Sequence, residues 1–314
     1  VPSFAIDFAS YLESSSGLPQ PQWDLIEAWA QQRVPPDDEF EFYTSAAREW
    51  LIALAEALDN EYYGTAESEH FLALAGEERM PLDVLVRGAE HCRRQLAELL
   101  PGVAQFSSPG KLAVLVLNGD DAYYAHVSHD HPEGDFGGSA GMHIRGFYPH
   151  VVLKECEASQ LQVTMGHELM HAALMHLSLP LWVEEGLAQM FEHDVSGRAL
   201  ELDTREVRRQ KNYWRRKGLE EFWSGEGFAR PSKTQQHSYQ LAEILMRLLL
   251  AEFRPRWFGF DHRAQERLMA FLSAAKASDS GQNAATEHLG FTLGELAARS
   301  LGAGEWEPGG EYGE

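Results

Sequence analysis

Cysteine is scarce. The 314 residues hold only Cys92 and Cys156, with no C-x-x-C and no close pair. That excludes a disulfide framework, leaves at most one bridge, and reads most simply as two buried thiols. Basic charge is also short: 26 Lys and Arg stand against 48 Asp and Glu, a net charge of −22. Such a surface repels nucleic acid and anionic membranes, so neither is expected as a partner. A solvated acidic surface accounts for the excess, although it would also favour basic substrates. Long apolar runs are missing too. None reaches the about 18 residues needed to cross a bilayer, so no membrane span is expected. There is no internal repeat. No signal peptide stands in the chain; the compartment stays open, with a slight preference for the cytoplasm, and so does the oligomeric state.

What is present is enough apolar material for a large core, 44% of residues. Apolar spacing predicts helices over Trp23–Gln32, from Asp37 to about Tyr62, over Pro81–Leu100, Ala158–Leu177, Gln236–Leu250 and Asp261–Ala277, and a last one opening at Thr292. Strand character falls on 69–74, Lys111–Leu117, Met142–Arg145 and Val151–Lys154, and Asn118-Gly119-Asp120 reads as a turn. The expected fold class is α+β, mostly helical, with a small mixed sheet packed beside a helical hairpin. The expected organisation is a helical segment over 1–64, a main domain over 65–302 and a flexible Gly- and Glu-rich tail over 303–314.

The chemistry concentrates at His167-Glu168-Leu169-Met170-His171, an H-E-x-x-H pattern inside a predicted helix. A helix advances about 100° per residue, so His167 and His171 share a face one turn apart and can bind one metal ion. Glu168 is rotated away from both and can reach a water beside the ion, the arrangement of a zinc hydrolase. Two imidazoles need a third ligand. Pro180 restarts the chain as a second helix, which carries Glu184 and Glu185. Glu185 is preferred and Glu184 is its competitor, because Glu185 shares a face with Glu192, seven residues on. Gly186 thins the helix beside Glu185 and lets it approach the imidazoles. Glu192 is a candidate acceptor for a histidine N–H.

H-E-L-M-H followed by W-V-E-E-G-L-A resembles the gluzincin zinc metallopeptidases, in particular their compact peptidase MA-like group, over about Val163–Glu192. The resemblance implies Zn²⁺ on His167, His171 and Glu185, Glu168 as general base, and a peptide or protein substrate. In that family a strand beside the zinc helix pairs with extended substrate, a role that would fall on residues 140–147. A Tyr or His well downstream of the glutamate ligand stabilises the oxyanion; Tyr239 is the candidate and His237 the runner-up. The alternative to a peptidase is a non-catalytic, zinc-containing binding module on the same fold.

Three further clusters have bland readings. His126, His129, Asp130, His131 and Asp135 could hold a second metal or line a rim, but their spacing matches no defined site, and a solvated loop is expected. His176 points away from the histidine pair. The basic run Arg205, Arg208, Arg209, Lys211, Arg215, Arg216 and Lys217 could contact a partner or an acidic substrate end, and otherwise reads as a solvated helical face.

Overall fold

The structure is a computed structural model. It describes residues 4, 6–14, 17–59, 62–76, 80–131, 139–195, 204–253, 262–310 and 312. Asp135 lies outside this set. The chain is α+β and divides into two compact units, one of residues 1–96 and 106–173 and one of 97–105 and 174–314. Residues 1–64 fall in the first unit, together with the sheet.

The first unit opens with a short hairpin, β1 (Leu12–Glu13) and β2 (Gln20–Pro21), and the helices α1 (Trp23–Arg33) and α2 (Glu39–Leu58). β3 (Tyr63–Glu67), β4 (Phe71–Gly76), α3 (Leu82–Leu99), β5 (Leu112–Leu117), α4 (Gly119–Asp130), β6 (Gly141–Ile144), β7 (His150–Lys154) and α5 (Ala158–Leu174) follow. The sheet order is β3-β4-β5-β7-β6; β4, β5 and β7 run parallel, while β3 and β6 are antiparallel edges.

The near-continuous apolar runs of β4, β5 and β7 follow from burial on both faces. Leu72, Leu74, Leu115, Leu117 and Val152 point to a core shared with Phe42, Trp50 and Leu54 of α2 and with Tyr123 and Val127 of α4. The alternate face meets α5: a Cβ on Gly141 would lie 2.9 Å from Leu153 Cδ2 and 2.7 Å from Thr164 Cγ2. Along that face α3 lies against α5, with Gly88 beside the Met165 methyl.

The second unit contains α6 (Leu181–Val195), α7 (Thr204–Lys217), α8 (Glu220–Trp223), α9 (Lys233–Phe253), α10 (His262–Ala274), α11 (Gln282–Ala284) and α12 (Leu293–Leu301). Its core gathers Trp182, Trp214, Phe222, Trp223 and Phe271, all buried. Ser280, which takes a left-handed φ of 58°, ties Trp182 to the main chain of Trp223: Trp182 Nε1–H donates to the Ser280 carbonyl, and the Ser280 hydroxyl donates to the Trp223 main-chain carbonyl. A capping box between Thr292 and Glu295 starts α12.

Three expectations need correction. Asn118-Gly119-Asp120 is not a simple turn but the entry to α4, whose first turn carries Asp120 and Asp121 at the positive end of its dipole. β3 was not expected, since Gly64 and a half-exposed alternation mask its strand character, yet it pairs with β4, Gly64 opposite Ala75. The described residues after Gly302 are held: Trp306 is buried, its carbonyl accepts Trp223 Nε1–H at 2.7 Å, and Tyr312 N–H donates to the Ser278 carbonyl. Both cysteines are free; Cys92 is buried, which pushes its thiol up to about 11, and Cys156 is half-buried. Among the described residues, no helix is long and apolar enough to cross a membrane.

Candidate metal centre

The mid-helix stretch Met165–Ala173 is buried except at two positions, His167 and His171, which are partly exposed. One turn apart, they bring Nε2 to Nε2 at 3.2 Å, with the rings inclined by 63°. Ligand atoms of His167, His171 and Glu185 all lie within 4.8 Å of one another, the one such His/Cys/Asp/Glu group among the described residues. Glu184, the competitor, is turned into the packing at 5% exposure. Two imidazoles and a carboxylate are a zinc donor set, and Zn–N bonds of about 2.0–2.1 Å put tetrahedral neighbours about 3.3 Å apart. The residues present fit that ion.

Glu168 follows His167 and is 8% exposed. Its stem runs beneath β6, where a Cβ on Gly141 would stand 3.1 Å from Glu168 Cγ. Glycine at 141 therefore lets an edge strand lie close over the helix that carries the pair. Alternation puts His143 on the same face of β6 as Gly141. His143 was missed as a candidate by sequence reasoning, because a lone histidine in a four-residue strand has no spacing signal. It is 8% exposed, and neither ring nitrogen has a hydrogen-bond partner. Burial first, then the neighbouring His171, Arg145 and His150, bring its pKa down to about 3. Tyr123 was missed too. Its hydroxyl meets Ser139 Oγ at 2.9 Å, and burial, with a smaller contribution from the Glu168 charge, pushes it up to about 12. Among the described residues no strand pairs with the outer edge of β6.

The second unit positions the remaining candidates. Gly186 does mark a close approach, but its neighbour is α9: a Cβ there would stand 2.6 Å from the Ala242 carbonyl oxygen and 2.6 Å from Met246 Cγ. Its role is to let α6 and α9 cross, not to bring Glu185 toward the imidazoles. The crossing is pinned by Glu243, buried, which takes His193 Nδ1 and Arg247 Nε at 2.8 Å each. Glu192 accepts from Gln189 Nε2 at 3.4 Å. The expected helix Gln236–Leu250 begins earlier, at Lys233, so His237 and Tyr239 lie in its first two turns and do not open it. Tyr239 packs edge-on against Phe228 at 5.4 Å, and His237 stacks on Tyr213 at 3.9 Å. His176 is exposed.

Up to His131, where its described part ends, the polar histidine segment is not a solvated loop. His126 lies in α4 and is fully buried, while His129 turns to Glu13. The Tyr148 carbonyl can only accept, so His150 Nδ1 carries a proton and donates to it at 3.2 Å. His150 Nε2 must then accept from His126 Nε2–H, at 2.9 Å, and His126 Nδ1 accepts from the Gln20 amide at 3.2 Å. The chain of bonds is complete with both rings neutral. Burial holds both pKa values below the ordinary histidine value.

No protein-family model matches the chain, and no curated protein sequence matches it significantly.

Proposed function

We propose that the chain is a zinc-dependent peptidase of gluzincin type, with His167, His171 and Glu185 holding the ion and Glu168 as general base. The observation that carries this reading is the convergence of the three ligand atoms within 4.8 Å, with Glu168 next to His167 in sequence. When bound, zinc would polarise a water and the scissile carbonyl. Glu168 takes the proton of the attacking water and delivers it to the leaving amine. The dry setting under Gly141 keeps the carboxylate stem fixed, which general-base catalysis requires. The edge of β6, which pairs with no further strand among the described residues, suits an extended peptide added as a strand, aligned by main-chain hydrogen bonds with little demand on sequence. On the family resemblance, Tyr239 is proposed as the oxyanion donor with His237 in reserve, since a phenol or an imidazole can serve that role.

The test is hydrolysis of a mixed peptide pool by the purified chain. Activity should vanish on chelation, return with zinc, and stay absent in Glu168→Gln although that variant keeps its zinc. A chain that binds zinc but cleaves nothing would instead support the non-catalytic zinc module.

A further inference from the structure

A groove of about 660 Å³ between α7 and α9, wholly within the second unit, concentrates cations in this acidic chain. Five of the chain's 26 basic residues line it: Arg205, Arg208, Arg209 and Arg216 from α7 and Lys233 from α9. All five are exposed. Among the described residues, no carboxylate lines the groove, and Arg208, Arg216 and Lys233 have no acidic partner. Like charges gathered this closely repel, and Arg205 sits in the first turn of α7, the end of the helix dipole that disfavours a cation. In a chain of net charge −22, neither feature follows from composition.

The groove is also built. Tyr213 donates to or accepts from Thr234 Oγ1 at 2.6 Å and stacks its ring on His237, and the Gln210 amide donates to Gln240. Gln210 is itself buried and accepts from Trp214 Nε1 at 2.8 Å. These bonds fix the two helices so that the arginines, at spacings of three, four and seven residues, form one stripe. From Arg205 to Arg216 the stripe is about 16 Å long, the length of about five residues of extended chain. A row of guanidinium groups of that length matches successive carboxylates, each able to be gripped by two parallel N–H bonds. A compact phosphate would engage only one stretch of it.

We propose that the α7–α9 groove is a binding site for an acidic polypeptide segment, a run of Asp and Glu side chains. The site does not depend on peptide hydrolysis. Its test is binding to the Glu168→Gln chain, read by anisotropy of fluorescein-labelled octaglutamate. Binding is expected with the wild-type groove and weakened about tenfold or more in Arg208→Glu/Arg216→Glu, with Arg208→Gln/Arg216→Gln intermediate. Arg87→Glu, on α3 and exposed, should leave it unchanged, and circular dichroism of all variants should match. Three outcomes overturn the proposal: no binding of octaglutamate, equal loss in Arg87→Glu, or an oligothymidine of equal charge or inorganic phosphate binding as tightly as the peptide.

Discussion

His126 and His150 meet through Nε2 atoms at 2.9 Å, and His167 and His171 through theirs at 3.2 Å. Both pairs belong to the first unit, and both involve a helix, although the sequence marks only the one with His167 and His171 as helical. The difference lies in what surrounds the rings. The first pair is fully buried, and every ring nitrogen has a defined hydrogen-bond role that ends on the Tyr148 carbonyl and the Gln20 amide. The second pair is partly exposed, and a carboxylate oxygen of Glu185 completes a three-donor group around it. A closed chain of hydrogen bonds leaves no lone pair for an ion. An imidazole pair facing a carboxylate does. Proximity of histidines therefore says little until the other nitrogen of each ring is accounted for.

The largest effect that separates the pairs is expected at Glu168. Glu168→Gln should lower peptide hydrolysis about 10²–10⁴-fold while leaving zinc content and unfolding midpoint near wild type, since general acid–base catalysis is worth about that much. A loss of zinc in this variant would mean the residue holds the site together and is not the base. Next comes His150→Ala, which strands the His126 Nε2–H in the core and opens a cavity; a loss of about 2–4 kcal/mol in denaturant unfolding is expected, with zinc stoichiometry unchanged.

The two regions were unequally legible in the sequence. The H-E-x-x-H spacing and the helix restart at Pro180 are local signals, and they led to His167, His171 and Glu185 because a helix converts spacing directly into a shared face. The His126–His150 pair is tertiary: its members are 24 residues apart, one on a helix and one on a strand. No periodicity links them, and an Asn-Gly-Asp sequence serves equally as a turn and as a helix entry. Gly186 shows the intermediate case. Its small size announced a close neighbour, but which neighbour was set by α9, about 55 residues downstream in the chain, where local patterns have no reach. β4, β5 and β7 were readable because burial on both faces made them largely apolar, and β6 because glycines set it off, whereas β3, which alternates, was not.

A smaller effect sharpens the catalytic side. Gly141→Ala puts a Cβ 3.1 Å from the Glu168 stem, with Thr164 and Leu153 also in the way. Hydrolysis should fall about 10–10²-fold through misplacement of the base, with zinc retained. Unchanged kinetics would show that β6 does not position Glu168. The smallest effect is on the structural pair and comes from pH. Both His126 and His150 have folded pKa values below the ordinary value, so the unfolded chain binds protons first as pH falls. Their contribution is complete above about pH 6.5 and is lost below it, by up to about 1.4 kcal/mol per pH unit for each ring. Urea unfolding between pH 7.5 and 5.5 should show this slope, and a His126→Leu/His150→Leu chain should show a flatter one. An equal slope in both would remove the pair as its source.

The most direct measurement is metal content after dialysis against zinc, by mass spectrometry of the native chain and three variants. One zinc per chain is predicted for wild type and for His150→Ala, and none for His171→Ala or Glu185→Ala. Zinc absent from the wild type, or retained when His171 or Glu185 is replaced, would contradict the account.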